Sequence, residues 1–111
     1  MPNEIKFWDQ RKRLDWFRAR ALARKIIERP EILSELRECI EKYWGGDPSK
    51  CRSLRIWRHI LGNSPEEFAR FLLADKPEAE EARKSYPPFV ALTPQERAAY
   101  IEASRREVAL A

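Results

Sequence analysis

The placement of the prolines limits what this chain can fold into more than any other feature. Of eight prolines, three directly follow a capping residue, at Asp47-Pro48, Ser64-Pro65 and Thr93-Pro94. A proline is well tolerated at the first helical position, where an N–H would have no intrahelical partner. The Asp, Ser or Thr before it accepts from the free N–H groups of the first turn. Glu67 and Glu96 stand three residues after Ser64 and Thr93, the spacing at which a glutamate completes a capping box. Stops are as plain: Gly45-Gly46 follows Tyr43-Trp44, and Gly62-Asn63 follows Ile60-Leu61. No stretch alternates apolar and polar residues for long enough to build a sheet. The chain therefore reads as all-α, a compact bundle of about five helices.

Periodicity fills the intervals. A long N-terminal helix is expected from about Asn3 or Glu4 to Arg29, with Ile5, Trp8, Ala19, Leu22 and Ile26 in one apolar row, flanked by Trp16, Ala23 and Ile27. Pro30 ends it, because the residue before a proline is pushed out of helical geometry, and itself opens the next helix. That helix, 31–44, places Leu33, Leu36, Ile40 and Tyr43 at helical spacing. A third, 48–61, is expected to bury Leu54, Trp57 and Leu61, and a fourth, 65–74, to bury Phe68, Phe71 and Leu72. Residues 77–84 read as a short turn of helix with Ala79 and Ala82 inward. Tyr86-Pro87-Pro88-Phe89-Val90 reads as non-helical, giving an extended strap at 85–93 whose Tyr86 and Phe89 plug the core. A last helix, 94–109, carries Ala98, Ile101 and Val108 on one side. At 111 residues there is room for a single domain, residues 1–111.

The net charge of +4 is mildly basic, and its distribution says more than its sum. Residues 1–29 and 50–62 are basic, whereas 30–49 and 63–82 are acidic. Such alternation fits two uses: successive helices neutralising one another, or basic patches kept for an acidic partner. Glu4 and Asp9 interrupt the N-terminal stretch where a signal peptide has an apolar run, so neither export nor a membrane span is expected. A cytoplasmic location follows, with Cys39 and Cys51 as free thiols.

Catalysis has little to stand on. The lone His59 has no carboxylate at helical spacing to orient it, and Gly45-Gly46-Asp47-Pro48-Ser49-Lys50 lacks the spacer of a phosphate-binding loop. Cys39, Cys51 and His59 fall short of the four ligands of a structural zinc site. No enzyme, metal or cofactor is expected.

Two constellations point to binding instead. In the third helix, Lys50, Arg52, Arg55 and Arg58 occur with no acid between them, a stripe suited to phosphates. The same stripe also fits contact with the acidic second and fourth helices of its own fold. The third and fourth helices have a helix-turn-helix outline, but Glu66 and Glu67 would lead the groove-facing end and repel DNA. The first helix is more informative, because Phe7, Leu14, Phe17 and Ala21 cluster on a flank separate from its main row. Lys12 and Asp15 interrupt that main row, while Arg13, Arg20 and Arg24 align as a basic edge. Residues 1–29 are thus either an aromatic helix of a small bundle or a partner-binding arm. As an arm, Phe7, Trp8, Leu14, Trp16, Phe17 and Ala21 would dock on a protein, since aromatic and Arg side chains anchor such contacts. The alternative is nucleic-acid binding through Arg13, Arg20, Arg24, Arg52, Arg55 and Arg58.

Arg83 to Arg97, containing Pro88-Phe89, Leu92 and Glu96-Arg97, resembles a pattern near the C-terminus of small prokaryotic helical proteins. That pattern runs Arg, two small polar residues, Pro-Phe, Leu and Glu-Arg; Tyr86-Pro87 departs from it. Arg29-Pro30-Glu31 and a Trp in the third helix match the same layout. The resemblance implies the antitoxin half of a toxin–antitoxin module, which neutralises a protein toxin and can also bind operator DNA. It leaves the oligomeric state open.

Overall fold

A computed structural model describes residues 10–85 and 88–110, and every regular element among them is helical. Six α-helices follow in order: α1 Gln10–Glu28, α2 Ile32–Trp44, α3 Cys51–Leu61, α4 Pro65–Leu72, α5 Pro77–Lys84 and α6 Pro94–Leu110. Short 3-10 turns at Pro48–Lys50 and Pro88–Ala91 lead into α3 and α6.

The predicted caps form. Asp47 accepts from the Ser49 N–H at 3.0 Å, and the Ser64 hydroxyl accepts from the Glu67 N–H at 3.2 Å. At the start of α6 both halves of the capping box close, Thr93 N–H to Glu96 Oε1 at 2.7 Å and Glu96 N–H to Thr93 Oγ1 at 3.1 Å. After α2 the chain turns through Gly46 at φ +84, a conformation that favours glycine. A Cβ on the preceding Gly45 would collide with the Glu41 carbonyl oxygen. The helix can therefore end only on a residue without a side chain.

α1 is the centre of the bundle, packing against α4, α5, α6 and the Pro88–Ala91 turn, while α2 and α3 pair beside it. Its Ala19, Leu22, Ala23 and Ile26 are buried with Leu33, Leu36 and Ile40 of α2 and Leu54, Trp57, Ile60 and Leu61 of α3. Trp57 sits between two rings, with Phe89 edge-on at 5.8 Å and Phe68 tilted at 6.1 Å. Ala79 and Ala82 of α5 face inward as expected.

Several faces differ from the sequence reading. Tyr43 is 60% exposed, under the Lys42 ammonium, and Trp44 is the buried ring that closes α2. The Leu36, Ile40, Trp44 row advances by four residues at each step, so the core seam passes one residue beyond Tyr43. Ile27 is exposed rather than packed, and Phe71 is half-buried. In α6 Ala98 is exposed and Ile101 half-buried, whereas Ser104 is buried; the Val108 side chain lies outside the described residues. The strap at 85–93 is not extended throughout, because Pro88–Ala91 winds into a 3-10 turn that buries Phe89. Proline's fixed φ suits the first position of such a turn as well as an extended chain. Tyr86 lies outside the described residues. Residues 77–84 form two full turns of helix, α5, which brings the α-helices among the described residues to six.

A recurring device joins the helices: cationic side chains from one element cap the C-terminal carbonyls of another. Arg37 of α2 donates Nε and Nη2 to the Leu61 carbonyl at the end of α3, at 2.9 and 2.6 Å. Arg83 of α5 donates Nη1 to the carbonyls of Leu72 and Ala74 at the end of α4, at 2.8 and 2.9 Å. Arg18 of α1 donates to the Arg83 carbonyl at the end of α5, at 2.7 Å, and stacks 4.2 Å over the Phe89 ring. Lys25 of α1 donates to the Ala91 carbonyl at the end of the 3-10 turn, at 2.6 Å. Each cation satisfies an acceptor left over by the helix and meets the negative end of its dipole. The charges of these four side chains are therefore structural.

Candidate binding groove

Where α1 and α6 lie together, their facing side chains are small. Ala21 on α1 and Ala99 and Ala103 on α6 leave a groove of about 320 Å³, lined also by Phe17, Arg20, Arg24, Glu96, Tyr100 and Arg106. On α6 the lining residues 96, 99, 103 and 106 recur at helical spacing, so a single face of that helix forms one wall.

The charge of the groove is set by what is already paired. Glu96, at one end, accepts from Lys25 Nζ at 2.8 Å and from the Thr93 N–H. Burial pushes its carboxyl pKa upward, but the Lys25 and Thr93 hydrogen bonds together outweigh that and hold it below the ordinary range. Arg20 lies 4.7 Å over Phe17 and 5.6 Å from Trp16, stacked on the aromatic rings. Arg24 and Arg106 are exposed and have no ion pair among the described residues. The groove thus presents cationic rims over an alanine floor.

The residues singled out in the sequence now separate. Of the six proposed docking residues, Phe7 and Trp8 lie outside the described residues. Phe17 is 3% exposed and belongs to the interior, packed edge-on with Trp16 at 5.3 Å, so its ring is not free to dock elsewhere. Leu14, Trp16 and Ala21 are half-buried, and Ala21 lines the groove. Between Asp15 and Ile26 every position of α1 except Arg24 is buried or half-buried, so this helix is committed to its own domain and not held out as an arm.

The basic residues split in the same way. Arg20 and Arg24 meet in the groove, while Arg13 is half-buried with an Nε that has no hydrogen-bond partner among the described residues. On α3, Arg58 pairs with Glu41 of α2 at 2.6 Å, and Arg52 with Glu81 of α5 at 2.8 Å. The Glu41 hydrogen bond raises the Arg58 pKa. Arg55 is exposed. The α3 stripe is therefore interrupted by acids of its own fold, one of them from α5 and not from the fourth helix.

Ala99, Tyr100, Ala103 and Arg106 escaped the sequence reading. Their one signal was small residues four apart on α6 followed by an Arg, and that signal has meaning only once α1 lies opposite.

Elsewhere, His59 is exposed, its ring set edge-on to Phe71 with the centroids 5.6 Å apart. Cys39 is half-buried and Cys51 exposed, both as free thiols, and burial raises the Cys39 pKa. Among the described residues no group of three His, Cys, Asp or Glu side chains is placed to hold a metal ion, and no helix is long and apolar enough to cross a membrane. Comparison with known protein families, with curated proteins and with solved structures finds no match to this chain.

Proposed function

We propose that this chain is a non-catalytic protein-binding module of the antitoxin kind, which neutralises a protein partner through the groove between α1 and α6. One observation carries the reading: Arg24 and Arg106 stand exposed, without ion pairs among the described residues, over Ala21, Ala99 and Ala103. Arginine and tyrosine, both present in the groove, are enriched at protein contact surfaces. The free thiols of Cys39 and Cys51 fit a cytoplasmic setting. Co-purification with the product of the adjacent gene tests the reading. Loss of the complex in R24E/R106E supports it, and the absence of any complex with the wild-type chain overturns it.

A second reading is supported by the line of Arg13, Arg20 and Arg24 along one face of α1. In it the chain binds nucleic acid, with Arg52, Arg55 and Arg58 as a further patch, and regulates transcription. The ion pairs of Arg52 and Arg58 weigh against that patch. Nucleic-acid binding through these residues requires affinity to fall steeply with salt, by about 0.9 in log–log slope per phosphate contact on a duplex. A flat salt profile sinks it.

A further inference from the structure

We infer that the groove between α1 and α6 receives an acidic amphipathic helix of the partner, its carboxylates meeting Arg24 and Arg106 and its apolar side chains resting on Ala21, Ala99 and Ala103. The inference rests on the protein-binding reading and names the chemistry of the element that docks.

Length, charge and shape each contribute. Glu96 and Arg106 mark the ends of the α6 wall, ten residues and so about 15 Å apart, which matches about three turns of a docked helix. Of the four charged side chains that line it, three are arginines. Glu96, the acid that lines the groove, is engaged by Lys25 and by the Thr93 N–H, while Arg24 and Arg106 remain without acidic partners among the described residues. Complementary charge must come from outside. Beyond Arg24 on the same face of α1, three residues further on, Ile27 is 46% exposed and extends the apolar part of the track.

The floor decides between classes of anion. Alanines give phosphates nothing to bind, but they admit the ridge of side chains that one helix inserts between two others. A nucleic acid also needs cations over a broad face, and on α3 both Arg52 and Arg58 are already engaged by Glu81 and Glu41. An extended peptide would look for a sheet edge, and among the described residues there is no strand to offer one.

The test uses the full chain and three fluorescent probes. One is a capped peptide of about sixteen residues, long enough to form helix in isolation, with leucines on one face and glutamates flanking them. The second carries lysines for the glutamates, and the third is a DNA duplex of similar length. The wild-type chain is expected to bind the acidic peptide and not the basic one. R24E/R106E should weaken the acidic peptide by about tenfold or more, as expected for losing two partly exposed charge pairs, and gain affinity for the basic peptide. Ala99→Trp, which fills the groove from an exposed position, should block the acidic peptide while leaving the thermal melt in place.

Equal binding of the acidic peptide to wild type and R24E/R106E overturns the inference. So does DNA binding that R24E/R106E abolishes without any acidic-peptide binding. The groove and the protein-binding function can fail separately. A protein partner that co-purifies undiminished with R24E/R106E and with Ala99→Trp removes the groove and leaves the protein-binding reading. Charge-dependent peptide binding by a chain that holds no protein partner removes that reading and leaves the groove chemistry.

Discussion

The Lys25 ammonium donates at 2.8 Å to Glu96 Oε1 and at 2.6 Å to the Ala91 carbonyl, so one side chain near the end of α1 fastens both the 3-10 turn and the start of α6. Glu96 also accepts from the Thr93 N–H, which makes this carboxylate a cap and an interhelical tie together. Lys25→Met should lower unfolding stability by about 1–3 kcal/mol, the range for losing charge-assisted hydrogen bonds in a partly buried site. The pH dependence separates this from lost packing. Glu96 has a lowered carboxyl pKa, so its contribution is present above the unfolded value and disappears as pH falls through the folded one. Urea midpoints on acidification should therefore fall less in Lys25→Met than in wild type.

Arg83 tests the caps at the ends of helices. It is buried, and its loss leaves the Leu72 and Ala74 carbonyls without their donor. Arg83→Met is expected to destabilise by about 2–4 kcal/mol. Arg83→Lys should recover only part of that, because an ammonium does not reproduce the planar guanidinium. Denaturant unfolding of the two variants reads the difference directly.

Asp15 gives the opposite pH signature. It is 4% exposed; Arg11 and Arg18 lie 3.5 and 3.7 Å from Oδ1, while Oδ2 has no hydrogen-bond partner among the described residues. Desolvation outweighs the nearby cations and raises its pKa. The folded chain therefore holds this proton more tightly than the unfolded one. The stabilising contribution is complete below the unfolded value and declines as pH rises through the folded value. Asp15→Asn should remove that decline and match or exceed wild type at neutral pH. A clear loss of stability there would show that the Arg18 and Arg11 pairs outweigh burial.

Phe17 and Phe89 are interior rings and should act on stability. Phe17→Ala and Phe89→Ala are each expected to cost about 3–5 kcal/mol, as for other buried aromatic truncations. In Phe89→Ala the Trp57 ring loses its edge-on neighbour and the Arg18 guanidinium its aromatic face, so tryptophan fluorescence should report the change. Phe17→Ala that left the melt unchanged would place the ring on the surface.

What the sequence made legible was local chemistry. Ser64-Pro65 and Thr93-Pro94 start helices because cap and proline act within four residues, and Gly45-Gly46 ends one for the same reason. The misread faces needed a partner to decide them. Tyr43 and Trp44 are adjacent at the end of α2, and a period of 3.6 residues allows either to close the row; in the fold it is Trp44 that is buried. The groove lay further out of reach. Arg20 and Arg24 could be read as a basic edge, but Ala99, Ala103 and Arg106 become a wall only when α6 packs on α1. The cationic caps were hidden by distance as well, since Arg18 and Lys25 reach carbonyls 65 and 66 residues away.

Those spans also set an order of events during synthesis. Arg37 and Leu61 are 24 residues apart, and Arg83 and Leu72 only 11, so the ties within α2–α3 and α4–α5 can close soon after each pair leaves the ribosome. The acceptors of Arg18 and Lys25 are not made until α5 and the turn before α6 emerge. α1 is thus tied to the rest of the fold by contacts that close only when these later elements dock on it, so a chain cut before α5 would keep the α1–α4 packing and lose both ties.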